Sequence, residues 1–166
     1  MPEQFQVIFN SRNSISANAT ATDRCNLTYN MNWGSVLPKK YKRFLCQFTF
    51  LSEQNLNTLI TETGLVNINL PSNNFNANSR LNTIGVIHPN VQFYTSNINN
   101  QSFFQCSTND NNNFYMSYPT ENQITISINK LDGNALSICP HYILALSFQG
   151  VSEVDDKNDN YADVLH

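Results

Sequence analysis

The chain of 166 residues carries 28 asparagines but only 9 Lys+Arg and 12 Asp+Glu, for a formal net charge of −3. That length suits one domain with a real core, and 11 Phe, 7 Tyr and 1 Trp supply its large side chains, which excludes a wholly disordered chain. Five acids and one base follow Val151, so the tail is −4 and the body, with eight bases and seven acids, is +1; a body so close to neutral has no broad field for gripping DNA or RNA.

Phe5, Val7 and Phe9 alternate with Gln4, Gln6, Ile8 and Asn10, the period of a half-buried strand. Residues 11–24 are small and polar and read as a long loop. Leu27, Tyr29, Met31 and Trp33 occupy every second position with Thr28, Asn30 and Asn32 between them, which predicts a strand across all seven, with Tyr29 and Trp33 in the core. Gly34-Ser35 and Leu37-Pro38 punctuate the chain. The run 41–51 sets Phe44, Cys46, Phe48 and Phe50 on one face and Leu45, Gln47 and Thr49 on the other.

Residues 55–63 are looser, with room for one helical turn. Val66, Ile68 and Leu70 alternate with Asn67 and Asn69 and stop at Pro71; the amides at Asn73, Asn74, Asn76 and Asn78 mark a loop. Residues 81–88 resume extended structure with Gly85 as an expected bulge. Residues 91–94, 102–107 and 114–118 are short strand candidates around the amide-rich turns at 97–101 and 109–113. Ile124, Ile126 and Ile128 against Thr125, Ser127 and Asn129 form a clean alternation, followed by the turn signal Asp132-Gly133. Residues 142–148 are nearly all apolar, which predicts a central strand covered on both sides or packed at an interface.

Pro38, Pro71, Pro89, Pro119 and Pro140 all fall at strand boundaries, where a missing N–H does no harm. Eight or nine short strands between turn clusters describe an all-β sandwich or barrel over residues 1–150, followed by a flexible acidic tail at 151–166.

Chemistry-bearing patterns are sparse. His88, His141 and His166 are isolated, so no metal site is expected, and neither a phosphate-binding loop nor a dinucleotide fingerprint occurs. The body carboxylates Glu3, Asp23, Glu53, Glu62, Asp110, Glu121 and Asp132 all fall outside the predicted strands, where a rigid catalytic acid would be mounted, and read as surface-loop acids. Cys25, Cys46, Cys106 and Cys139 are widely spaced and form no CxxC; with no basic and apolar leader at Met1-Pro2-Glu3-Gln4, they read as reduced, mostly buried thiols. No apolar run approaches the roughly 20 residues that span a bilayer.

Two features carry interaction potential. Lys39, Lys40, Lys42 and Arg43 are the one basic cluster, either a solvated approach to the Phe44 strand or a basic face toward nucleic acid or an acidic neighbour. The acidic tail is either a solvating terminus or an arm that orders on an adjacent subunit, with Tyr161 and Val164-Leu165 as small anchors.

Two groups of segments resemble a known family. FQVIFNSRN (residues 5–13), LTYNMNWG (27–34) and LPKKY (37–41) form the first; NQITISI (122–128), LDG (131–133) and YILALSF (142–148) form the second. Together they resemble small jelly-roll capsid proteins of eukaryotic double-stranded DNA viruses, among them giant viruses, virophages and polinton-like viruses. The resemblance spans about half the chain and leaves residues 52–118 without a counterpart. It implies a single jelly-roll sandwich of about eight antiparallel strands. It also implies a non-enzymatic virion component, penton-like or a minor capsid protein, without cofactor or small-molecule substrate, assembled in the host cell interior as a homo-oligomer or with other capsid proteins.

The low charge agrees on separate grounds: amides and hydroxyls can be covered by a neighbouring subunit without stripping water from ions. The rival from another class is a lectin-like or receptor-binding head, in which Phe93-Tyr94 and Phe114-Tyr115 would stack on sugar rings.

Overall fold

The computed structural model describes residues 3–15, 23–54, 62–70, 82–87, 93–96, 101–107, 113–137 and 139–152. Ten strands lie among them: β1 (Gln4–Asn10), β2 (Asn26–Asn30), β3 (Arg43–Gln54), β4 (Gly64–Asn69), β5 (Thr83–Ile87), β6 (Phe93–Ser96), β7 (Gln101–Ser107), β8 (Phe114–Ser117), β9 (Gln123–Asn129) and β10 (Tyr142–Val151). Among the described residues helix is confined to one turn, α1 (Trp33–Val36), and two 3₁₀ turns, Ser11–Asn13 and Asp23–Cys25.

The strands form two antiparallel sheets. One has the order β1-β10-β3-β7-β6, with β8 also on β3, and the other has the order β2-β9-β4-β5. β10 takes one edge of β3 from Arg43 to Ser52; β7 and β8 share the other, β7 against Thr49–Gln54 and β8 against Arg43–Cys46. The expected count of about eight strands rises to ten because this edge partner is interrupted and β6 adds a further strand.

Alternation explains the layers. In β9 every second residue is buried, namely Ile124, Ile126 and Ile128. In β10 the buried residues are Tyr142, Leu144, Leu146 and Phe148. They meet Phe44, Cys46, Phe48 and Phe50 of β3 in one core, where each fully buried large side chain contributes about 1.5–3 kcal/mol. Aromatic edges bridge the sheets: Phe9 of β1 meets Tyr29 of β2 at 5.2 Å, and Trp33 meets Phe148 at 6.3 Å.

Several expectations are corrected. The second strand stops at Asn30 instead of reaching Trp33. Met31 N–H still bonds Asn122 O, but Leu37 N–H then closes a helical turn on Trp33 O at 2.8 Å, which buries the indole beside Phe148. Gly85 is not the bulge: Val66 pairs with Gly85 and Asn67 with Thr83, so Ile84 is the skipped residue. Gly85 is needed for a close approach, since a Cβ there would overlap the Phe48 ring from the opposite sheet. Glu53 belongs to β3, because pairing with β7 carries the ladder on to Gln54. β10 continues three residues past the expected strand end at Phe148, where Gln149, Gly150 and Val151 pair with Leu45, Phe44 and Arg43. The turn at Asp132-Gly133 forms as expected, with Gly133 at φ 87° and Asn134 N–H bonded to Asp132 Oδ1. The helical turn expected at 55–63, the loop at 73–78 and the acidic tail from Glu153 lie outside the described residues.

Candidate functional site: two neutral sheet faces and a basic rim

The outward residues of the larger sheet line up in rows across β1, β10, β3 and β8. Gln4, Gln149, Leu45 and Tyr115 form one row; Gln6, Ser147 and Gln47 a second; Ile8, Ala145 and Thr49 a third; Asn10, Ile143 and Leu51 a fourth. None of these residues is charged. Ile8 is 60% exposed and Ile143 37%, so β10 is covered on one side only within a single chain. Of the two readings of its apolar sequence, burial on both faces is overturned and an interface remains open. The face ends in a row of Arg43, Val151 and Ser117, and the Arg43 guanidinium lies over the Tyr115 ring at 4.0 Å.

The outward side of the smaller sheet carries no charge among its described residues; Leu65 and Val86 share a row with Asn129, and the other rows are polar, with Asn67 itself buried. Asn26, Ser127, Asn67 and Thr83 form a row across all four strands, and Thr28, Thr125 and Asn69 form the next. Neighbours satisfy one another. The Thr28 and Thr125 hydroxyls are 3.0 Å apart, Thr83 donates to Asn67 Oδ1 at 2.6 Å, and Gln123 donates to Asn30 Oδ1 at 3.1 Å. Groups already paired along a sheet lose less when water is removed from above them.

The basic cluster does not act as one patch. Lys40 is held 2.8 Å from Glu3, and its ammonium lies 5.0 Å from the Tyr41 ring centre. Hydrogen bonding to Lys40 is the main cause holding the Glu3 carboxyl below its usual range, and the same bond raises the Lys40 pKa. The Tyr41 hydroxyl donates to the other Glu3 oxygen at 3.3 Å, which ties the start of β1 to the approach to β3. Lys42 is exposed, and Arg43 stacks on Tyr115. Lys39 instead borders a depression of ≈ 330 Å³ with Met31, Trp33, Tyr118, Pro119 and Glu121 along its walls. Trp33 is buried and its indole N–H has no acceptor among the described residues, while the Tyr118 hydroxyl donates to Leu37 O at 3.1 Å. Tyr161 lies outside the described residues.

Of the aromatic pairs expected to stack on sugars, Phe114 is buried and Tyr115 is 41% exposed with the Arg43 guanidinium over one face of its ring; the Phe93 and Tyr94 side chains are outside the description. Among the described residues no three His, Cys, Asp or Glu side chains gather as metal ligands, and no helix is long and apolar enough to cross a membrane. Cys25, Cys46 and Cys139 are buried free thiols, and burial pushes the Cys46 thiol pKa well up.

One polar constellation was not legible in the sequence. Buried Ser11 accepts the Tyr142 N–H at 3.0 Å, and its hydroxyl lies 3.0 Å from His141 Nδ1. These residues are 130 positions apart, and only the β1–β10 pairing brings them together. The arrangement joins the end of β1 to the start of β10.

No protein-family model and no curated protein matches the chain. A solved structure it resembles is the Drosophila NLP core, studied for pentamer formation and histone binding. The likeness has 11% identity and a TM-score of 0.33, covering 92% of this chain and 100% of that one.

Proposed function

We propose that the protein is a single jelly roll acting as a structural, non-catalytic virion component. In this reading it is a penton-like or minor capsid protein of a eukaryotic double-stranded DNA virus, assembled inside the host cell with copies of itself or other capsid proteins. The strand orders support the fold reading. The first strand pairs with the last and β2 with β9, as when one long antiparallel hairpin is wrapped into two sheets.

The observation that carries the functional reading is the charge geography. Both sheets present rows of amides, hydroxyls and aliphatic side chains; in the rows listed above the one ionised side chain is Arg43, stacked on an aromatic ring, and the next outward position of β3 is Glu53, whose side chain lies outside the description. Covering such faces strips water from few ions, so many modest contacts can form repeatedly without a large desolvation cost.

The test is the protein content of purified particles from cells infected with the virus whose genome encodes this chain. The reading expects the chain in the particle fraction, in a copy number set by capsid symmetry. Its recovery only outside the particles overturns the reading.

A further inference from the structure

We propose that β1 pairs with β1 of a second copy of this chain, antiparallel about a two-fold axis at Val7, so that two of the larger sheets become one. β1 ends the order β1-β10-β3-β7-β6, and among the described residues its outer edge has no backbone partner. An open edge is ordinarily blunted by lysine, proline or a bulge. β1 has none of these: its sequence QFQVIFN is uncharged and pairs with β10 in unbroken register. The edges of the smaller sheet differ. Ile15 N–H bonds Thr28 O of β2 at 2.9 Å, and the β5 ladder is bulged.

The ladder fixes which backbone groups face outward. Gly150 N–H bonds Glu3 O at 3.4 Å, directly across the β1–β10 pair. Residues along an antiparallel ladder alternate between those that bond their partner and those whose N–H and C=O point the other way. Phe5, Val7 and Phe9 therefore bond β10, and Gln4, Gln6, Ile8 and Asn10 turn their groups to the open edge. Asn10 agrees with this phase, since its carbonyl accepts the Tyr29 hydroxyl from β2 at 3.0 Å.

The side chains select a second copy as the occupant. With Val7 opposite Val7, Gln6 and Ile8 become a hydrogen-bonded pair, as do Gln4 and Asn10, and Phe5 meets Phe9. Phe5 and Val7 face inward yet are only partly buried, whereas Phe9 on the same face is 2% exposed. The pairing covers these two residues with apolar side chains of the other copy. On the outward face the two Ile8 side chains, each 60% exposed in the single chain, become diagonal neighbours. No like charges meet, because the strand carries none. The pairing needs only this edge and does not rest on the capsid reading.

The experiment is residue-resolved amide exchange on the full chain at about 50 μM and about 1 mM, with sedimentation under the same conditions to follow the dimer. Exchange at Gln4, Gln6 and Ile8 should slow several-fold at the higher concentration, while Val7 and Phe9, bonded to β10, stay protected at both. Gln6→Pro removes an N–H that the single chain does not use, so it should fold and stay monomeric. Ile8→Lys, which leaves the backbone unaltered, should weaken the dimer by setting ammonium groups diagonally across the axis, and Ile143→Lys, one strand further in, should dimerise like the parent. A parent that is monomeric at both concentrations would overturn the proposal. So would an assembled parent whose Gln4, Gln6 and Ile8 amides exchange at unchanged rates, which would place the contact on the sheet faces. Dimers of parental strength in both Gln6→Pro and Ile8→Lys would overturn it as well.

Discussion

Gly85 of β5 faces the ring of Phe48 of β3 across the sandwich, and no room is left between them for a methyl group. Phe48 is 3% exposed and locked in the core, so it cannot swing away. Gly85→Ala is therefore expected to destabilise the fold by about 1–3 kcal/mol through overpacking. Urea unfolding of the variant and parent checks this; equal midpoints would mean that the sheets separate freely at this point.

A second expectation concerns the Ser11 junction. Ser11→Ala removes the acceptor of a buried backbone N–H, that of Tyr142. The loss should be about 1–3 kcal/mol, the cost of stranding a buried donor. Amide exchange at Tyr142 should quicken more than exchange at Ile126 in the other sheet. Uniform quickening, or none, would remove the junction from the account.

The pH dependence has a definite sign. Burial pushes the Tyr29 phenol from 10.0 up to about 12, and the hydroxyl donates to Asn10 O at 3.0 Å. The folded chain holds this proton more tightly than the unfolded one, so the contribution is complete below pH 10 and is lost as pH rises through about 12. Tyr29→Phe lacks the contribution. The stability gap between parent and variant should be constant from pH 7 to 10 and close toward 12. A gap that stays constant over the whole range would contradict the assignment.

The strands were legible where one face is wet. β9 was plain from Ile124, Ile126 and Ile128, and β1 from Phe5, Val7 and Phe9, because period-two alternation reports burial directly. The same signal misled at Trp33, where alternation continued after the backbone had turned into α1; an indole can reach the core from a helical turn as well as from a strand. Gly85 could be singled out but not explained, since its reason lies on Phe48 in the other sheet.

The candidate faces were half legible. The scarcity of charge was visible in composition, but its concentration into ordered rows needed the register. The basic cluster looked continuous in sequence and separates in space, Lys40 toward Glu3, Arg43 toward Tyr115 and Lys39 toward the Trp33 depression. Local spacing cannot show which strand each side chain meets.

The most direct measurement is the solution mass of the full chain and of an Ile8→Lys, Ile143→Lys double variant. Both isoleucines project from the outward face of the larger sheet, away from the core, so the variant should fold and melt close to the parent. The account predicts that the parent assembles into a defined oligomer as concentration rises and that two ammonium groups on this face hold the variant as a monomer. A parent that remains monomeric throughout, or a variant that assembles equally well, would contradict it.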